Sequence, residues 1–496
     1  MSPVLPAHLR IGEGQVSVVQ PDDPFIYESC VETAVLKSTL NQEIDDFMKN
    51  WSTEQIIESY TQTRPHVNQQ VLKELLTGKP TFVLYSGSDL IYSKGRNGKK
   101  KFLLIETNVF TAGQDAMPPS AQVYESHLNL CVLNAEWKQQ PVEAGGLAHM
   151  YGRKTRRDYA YPHVMAKLTK ESIHVVPMFS KREDEEIETL YRFVDGTMQV
   201  KYRDEWQNIR ACFYTMSYRT WSFIPVTNNL KTYMCPHPIS GLVGKNKILS
   251  EYAYRDFNEK YSKHGIQISG PRTMVRIAKA DIREIVEQNF NGRAVIKTPY
   301  DGQGRGVYII RNEGDLDEFY ANDKSDYSLW VVQELVGLEA CPNDRYQQIG
   351  FHLDGQMYAY SVRIIACNSP SGFKMITICS ARAPAPFAKC GEDAEIAPGL
   401  LKKITTVHED DVYVTNIASN PDGELRSFYF DDAGMKGMGI GLDDVIDGFM
   451  QTVFCTHAID DMCKKLIMEN GELNLQLLKE LNPDPQLLAE VVTNWK

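Results

Sequence analysis

RAVIKTPYDGQGRGVYII, residues 293–310, is the stretch whose reading decides the fold. A short apolar strand (294–296) delivers Lys297. A loop holding Gly302, Gln303, Gly304 and Gly306 follows, and a second strand (307–310) leaves it. Backbone N–H groups of such a glycine-rich hairpin can approach phosphate oxygens closely, because no side chains stand in the way. A lysine on the incoming strand adds a point charge for the same phosphates. The pattern is not the dinucleotide fingerprint, whose G-x-G-x-x-G joins a strand to a helix, and no G-K-[ST] follows to make a P-loop.

Working outward, LWVVQELV (329–336) reads as a buried strand running into Gln333, Glu334, Leu335 and Val336. Exposed backbone there suits the edge of a purine, and a carboxylate suits ribose hydroxyls. Upstream, GLVGKNKILSEYAYRDFNEKYSKHGIQISGP (241–271) places Lys247 at a helix start, with His264-Gly265 closing the helix and Pro271 beyond it.

In this order, a lysine opening a helix, G-I-x-x-x-x-P, a strand lysine, a glycine hairpin and an apolar strand ending in Gln-Glu, the sequence resembles the ATP-grasp superfamily. The resemblance implies an α/β (α+β) fold and joining of a carboxylate to an amine through an acyl phosphate, with ATP and Mg²⁺ as cofactors. It implies that Lys247 and Lys297 hold phosphates, that Gly302–Gly306 form the flap, and that Gln333–Val336 read adenine and ribose. It also implies catalytic roles for Lys297, Arg345 and Arg363, the arginines lying in DRYQQIGFHLDGQMYAYSVRI (344–364) and suited to bidentate anion binding. Arg382 and Asn416 are weaker candidates.

The family's metal ligands come from a strand carrying Glu-x-Asn, with an acid on the strand beside it. Positions i and i+2 of a strand share a face, so both can reach one metal. Glu472-Leu473-Asn474 and Glu480-Leu481-Asn482 fit the letters but read as helix, where i and i+2 diverge. KFLLIETNVF (101–110) fits better. Four apolar residues lead to Glu106-Thr107-Asn108, and the preceding strand, TFVLYSGSDLIYS (81–93), carries Asp89. Asn97-Gly98 between them signals a hairpin, whose basic tip (GRNGKKK) reads as solvated surface. Asp89, Glu106 and Asn108 are therefore the expected metal ligands, and the fold is expected to be a circularly permuted ATP-grasp. The glutathionylspermidine-synthetase-like group is a relative for comparison.

The expected units follow. Residues 1–80 are an arm and helices, with Ser52 and Gln55 as a capping box. Residues 81–120 are the metal-binding hairpin. Residues 121–245 are an α/β pre-ATP-grasp domain with strands and helices alternating along a parallel sheet. Residues 246–340 bind nucleotide, and 341–496 hold the remaining strands, a hairpin at Asp354-Gly355, a helix at 442–469 and a second helix broken by Pro483 and Pro485. KREDEEIE (181–188) reads as a solvated helix face, GRKTRRDY (152–159) as surface or an anion contact, and the loop 383–398, with Cys390 an ordinary thiol, as a gate for the second substrate.

Composition bounds the rest. The 496 residues carry 53 Lys plus Arg against 64 Asp plus Glu, a formal charge of −11. That balance argues against nucleic-acid binding, which needs a clustered cationic face. No apolar run is long enough for a membrane span, and the first residues lack the pattern of a secretory signal. Ten cysteines without C-x-x-C fit a reducing cytoplasm. The expected partners are a small-molecule carboxylate and amine, and a homo-oligomer is compatible with the sequence. A small-molecule phosphotransferase and a non-catalytic nucleotide binder stay open beside the ligase.

Overall fold

The computed structural model describes residues 15–110, 112–133, 145–152, 156–178, 190–215, 219–302, 306–338, 344–387, 415 and 427–493. Among the described residues no helix is long and apolar enough to cross a membrane, and the eight described cysteines are free.

Strand β1 (Ser17–Val19) leads to three short helices, α1 (Gln42–Asn50), α2 (Thr53–Gln62) and α3 (Gln69–Thr77). Each starts at a polar cap. Asn41 and Asn68 accept from the first turns of α1 and α3, and Ser52 and Gln55 make the expected reciprocal capping box at α2. The hairpin is β2 (Tyr85–Gly95) and β3 (Lys100–Asn108).

Residues 123–235 supply six strands that, with β1, build a seven-stranded mixed sheet. After α4 (Val123–His127), β4 (Gly146–Tyr151), α5 (Arg156–Thr169) and β5 (Ile173–Pro177) form a strand–helix–strand unit, with β4 parallel to β5. Then come β6 (Tyr191–Val194), β7 (Thr197–Tyr202), β8 (Glu205–Tyr214) and β9 (Tyr233–Cys235). The parallel pairs are β4–β5, β4–β8 and β8–β9, whereas β6–β7, β7–β8 and β1–β5 are antiparallel. The expectation of strand–helix alternation therefore fails at 190–214. The cause is local: Asp195-Gly196 and Arg203-Asp204, all with left-handed φ, make two-residue turns, and such turns permit only antiparallel pairing.

Helices α6 (Pro238–Gly244) and α7 (Lys247–Tyr261) lead into a four-stranded antiparallel sheet with the order β10 (Thr273–Ala278), β13 (Leu329–Glu334), β11 (Ala294–Lys297), β12 (Val307–Ile310). Helices α8 (Ile282–Phe290) and α9 (Glu313–Asn322) belong to the same unit. Val286, Phe290, Ile296, Phe319 and Trp330 share its separate core.

The late strands are β14 (Tyr346–Gln348), the small hairpin β15 (Phe351–Leu353) and β16 (Gln356–Tyr358), β17 (Tyr360–Ser369), β18 (Gly372–Arg382) and β19 (Ser427–Phe428). They do not form a sheet alone. β2 lies between β14 and β17, with β3 paired to β2, so the early hairpin and the late strands share one sheet. Helix α10 (Asp432–Met438) precedes α11 (Leu442–Leu466), which is buried along most of its length against this sheet and α7. The chain ends in α12 (Leu475–Leu481) and α13 (Pro485–Thr493). Glu472 and Asn474 are not helical as read from sequence: Leu473 bridges Ile467, and Asn474 caps α12.

Candidate active site

The six-stranded sheet sets four side chains in a straight row. Asp89 is opposite Glu106 across β2–β3 and opposite Arg363 across β2–β17, and Arg363 is opposite Cys379 across β17–β18. Directly opposed residues share a face of a sheet. Asn108, two residues beyond Glu106, is on that face too. The three expected metal ligands are thus brought together with Arg363.

Contacts fix the row. Arg363 grips Asp89 bidentately, Nε to Oδ1 at 2.5 Å and Nη2 to Oδ2 at 2.6 Å. Asn108 Nδ2 donates to Asp89 Oδ2 at 3.2 Å, and Lys245 Nζ donates to Asn108 Oδ1 at 2.6 Å. Burial would lower the Arg363 guanidinium, but the charge and hydrogen bonds of Asp89 raise it above its ordinary value. Burial would raise the Glu106 carboxyl. The positive charges of Lys247, Lys245, Lys297 and Arg363 outweigh that and hold it below the usual range. Among the described residues no hydrogen bond reaches the Glu106 carboxylate, and it faces a cavity.

That cavity measures about 300 Å³, a size within reach of small-molecule sites. It joins the two sheets across α7. Glu106, Lys245, Lys247, Glu251, Lys297 and Gln333 all line it. Lys297 reaches from β11 to Gln333 Oε1 at 2.7 Å and to the carbonyl of Ile105 at 3.2 Å, 192 residues away in sequence. Burial lowers Lys297 and Lys245 to about 8 each, against the opposing pull of Glu106. Lys247 opens α7 at its first position and donates to the Asp301 carbonyl at 2.6 Å, while its own N–H bonds Pro299. Helix start and glycine loop are therefore tied at their roots.

Gln303 and Gly304 of the loop fall outside the described residues, as do Asn416 and Cys390. Gly306 has φ +65° and packs so closely on Thr298 that a Cβ would meet its Oγ1 at 2.2 Å, whereas a Cβ on Gly302 would meet nothing within 4 Å among the described residues. Gln333 is clasped between Lys297 and Thr273, and Leu335 and Val336 are buried beyond it. Glu334 is engaged by Arg345, at 2.9 and 2.6 Å, and by the Arg272 N–H. Those contacts outweigh burial and keep the Glu334 carboxyl low. Arg345 lines the cavity while bound to that carboxylate. Arg382 lies outside the row's contacts, stacked over Tyr358 at 4.3 Å.

Two cavity residues were not singled out from the sequence. Lys245 closes α6, and only Asn246, the cap of α7, separates it from Lys247. The G-K-N-K spacing is the signal: lysines on either side of a cap belong to different helices and can converge. Glu251, one turn into α7, is raised to about 7 by burial, with Arg255 opposing at 3.0 Å.

Solved structures similar to the chain include a glutathione synthetase-like effector from Globodera pallida (11% identity over 69% of this chain and 84% of that one, TM-score 0.37). A D-alanyl-alanine synthetase A from Vibrio cholerae (12%, 47% and 88%, TM-score 0.29) and a RimK domain protein ATP-grasp from Sphaerobacter thermophilus (8%, 47% and 90%, TM-score 0.28) are others. These neighbours are of the ATP-grasp kind. Likeness at this level carries no information about substrate. No protein-family model matches the chain, and no curated protein does.

Proposed function

We propose that the chain is an ATP-dependent ligase of ATP-grasp type, coupling a carboxylate to an amine and releasing ADP and phosphate. The observation that carries this reading is the contact of Lys297 with the Ile105 backbone, because Glu106, next to Ile105, and Lys297, on the strand that enters the glycine loop, line one cavity. The charge balance supports it. Four cations, Lys245, Lys247, Lys297 and Arg363, surround the carboxylates of Asp89 and Glu106, an excess that a polyphosphate offsets.

In this reading Gln333–Val336 take the adenine end of ATP. Lys247, Lys297 and the loop from Gly302 to Gly306 take its phosphates. Asp89, Glu106 and Asn108 offer oxygen donors on one sheet face, the type Mg²⁺ requires, although among the described residues no three His, Cys, Asp or Glu cluster for a metal. Glu106, with free oxygens, is the strongest donor of the set. Bound there, Mg²⁺ would offset charge on the phosphate oxygens. The substrate carboxylate takes the γ-phosphoryl group as ADP leaves, and the amine then displaces phosphate from the acyl phosphate. Arg363, held by Asp89 through Nε and Nη2, would steady the transferring group. The loop's part is to exclude water, which would hydrolyse the acyl phosphate.

The test is ADP release with Mg²⁺ across paired pools of carboxylates and amines. Amine-dependent ADP is expected. A phosphorylated product without amine dependence would make the chain a phosphotransferase, and no ADP with any pair would leave a nucleotide binder. Glu106→Gln with Asn108→Ala must abolish the Mg-dependent turnover; intact turnover would remove residues 81–120 from the site.

A further inference from the structure

Resting on the reading above, one feature of the ligand set reaches further. Two of its three members are already engaged. Both Asp89 oxygens belong to Arg363, and Asn108 Oδ1 accepts from the Lys245 ammonium at 2.6 Å. The amide cannot simply turn away, because its Nδ2 is committed to Asp89. Nor is Lys245 a loose surface side chain. Its backbone is pinned against the end of β3: a Cβ on Gly244 would meet Val109 Cγ1 at 2.4 Å, and the ammonium lies 5.5 Å from the centre of the Phe110 ring.

We propose that Lys245 is a resident cation, holding the place at Asn108 that a divalent cation takes only when a polyphosphate arrives. A metal ion alone would have to expel the ammonium into a cavity already crowded by Lys247 and Lys297, where like charges repel it. A polyphosphate gives the ammonium a new partner at the same moment as it brings the metal. Metal and nucleotide are therefore coupled, each raising the affinity for the other by an equal factor. The device keeps the site closed to bare metal and sets Lys245 on the phosphates once they are bound.

The experiment titrates Mn²⁺ into the full chain without nucleotide, following free Mn²⁺ by electron paramagnetic resonance, for the natural protein, Lys245→Met, Lys245→Gln and Lys245→Met combined with Glu106→Gln. Thermal unfolding of each variant checks that it is folded. Lys245→Met is expected to tighten Mn²⁺ by about tenfold, Lys245→Gln by less, and Glu106→Gln to abolish the gain. Unchanged or weaker binding in both Lys245 variants overturns the proposal, and so does a gain that survives Glu106→Gln. The metal-site reading is tested separately, by calorimetry of the preformed Mn²⁺ complex of a non-hydrolysable ATP analogue. If Glu106→Gln leaves that binding intact, the site itself is misplaced; if it weakens binding while Lys245→Met changes nothing, only the resident cation falls.

Discussion

Glu106-Thr107-Asn108 and Glu480-Leu481-Asn482 spell the same pattern and do different work. On β3 the two polar side chains share a face, beside Asp89 and above a cavity. At the end of α12 they part. Glu480 stays on the surface with Gln476, while Asn482 is fully buried and donates to Tyr300 at 3.0 Å and to Asn246 at 3.3 Å. Tyr300 in turn donates to Asp484. The second copy thus braces both the root of the glycine loop and the cap of the helix that Lys247 opens. A three-letter pattern acquires its chemistry from the period of the backbone that carries it.

The widest separation between the copies is expected in turnover. Glu106→Gln should lower ADP formation by about 10²–10³-fold, the scale on which loss of a charge-stabilising group registers, and Glu480→Gln should stay within about twofold. A larger loss from Glu480→Gln, measured in the same assay, would break the distinction. Next in size is stability. Asn482→Ala strips partners from buried polar groups, which costs about 1–3 kcal/mol each time one is orphaned. Urea unfolding should show that loss. Mn²⁺ binding in the presence of the analogue should not move, which would separate bracing from ligation.

What could be read before the structure was whatever a short run of chain encodes by itself. The strand lysine, the glycine hairpin, the capping box at Ser52 and the strand setting of Glu106 are all properties of ten residues or fewer. Individual side-chain contacts between distant residues were illegible. Nothing near Glu334 announces that Arg345 will occupy its carboxylate, and nothing near Asn482 announces Tyr300. Lys245 was hidden differently: it closes one helix a single residue before the next begins, so its direction depends on Gly244 packing against Val109. The antiparallel strands at 190–214 were within reach, since Asp195-Gly196 is a hairpin signal, but the neighbouring parallel strands made alternation the simpler reading.

Glycines in one loop repeat the lesson at smaller scale. Gly306 sits at φ +65° against Thr298, whereas among the described residues nothing crowds the Cβ position of Gly302. Gly306→Ala should therefore cost about 1–3 kcal/mol through backbone strain and crowding, with a higher KM for ATP. Gly302→Ala should fall within about 0.5 kcal/mol of the natural protein. Equal effects in denaturant titrations would mean that residue type, not backbone position, governs the loop.

The smallest effect separates two glutamates that line one cavity. Burial pushes both carboxyls up, but Glu106 has four cations to hold it down while Glu251 has mainly Arg255 and rises to about 7. Between the ordinary value of 4.5 and about 7, the folded chain keeps a proton on Glu251 that the unfolded chain has released. The folded state then binds more protons, so stability falls as pH rises through that window. A displacement of one pH unit corresponds to about 1.4 kcal/mol. Because Glu251 keeps 20% exposure and its replacement also loses Arg255, the net gain from Glu251→Gln at pH 8 should be about 1 kcal/mol. Unfolding midpoints measured from pH 5 to 8 should decline less steeply in Glu251→Gln than in the natural protein. Parallel curves would show that Glu251 is ionised throughout, and that the two glutamates, despite their different neighbours, are held alike.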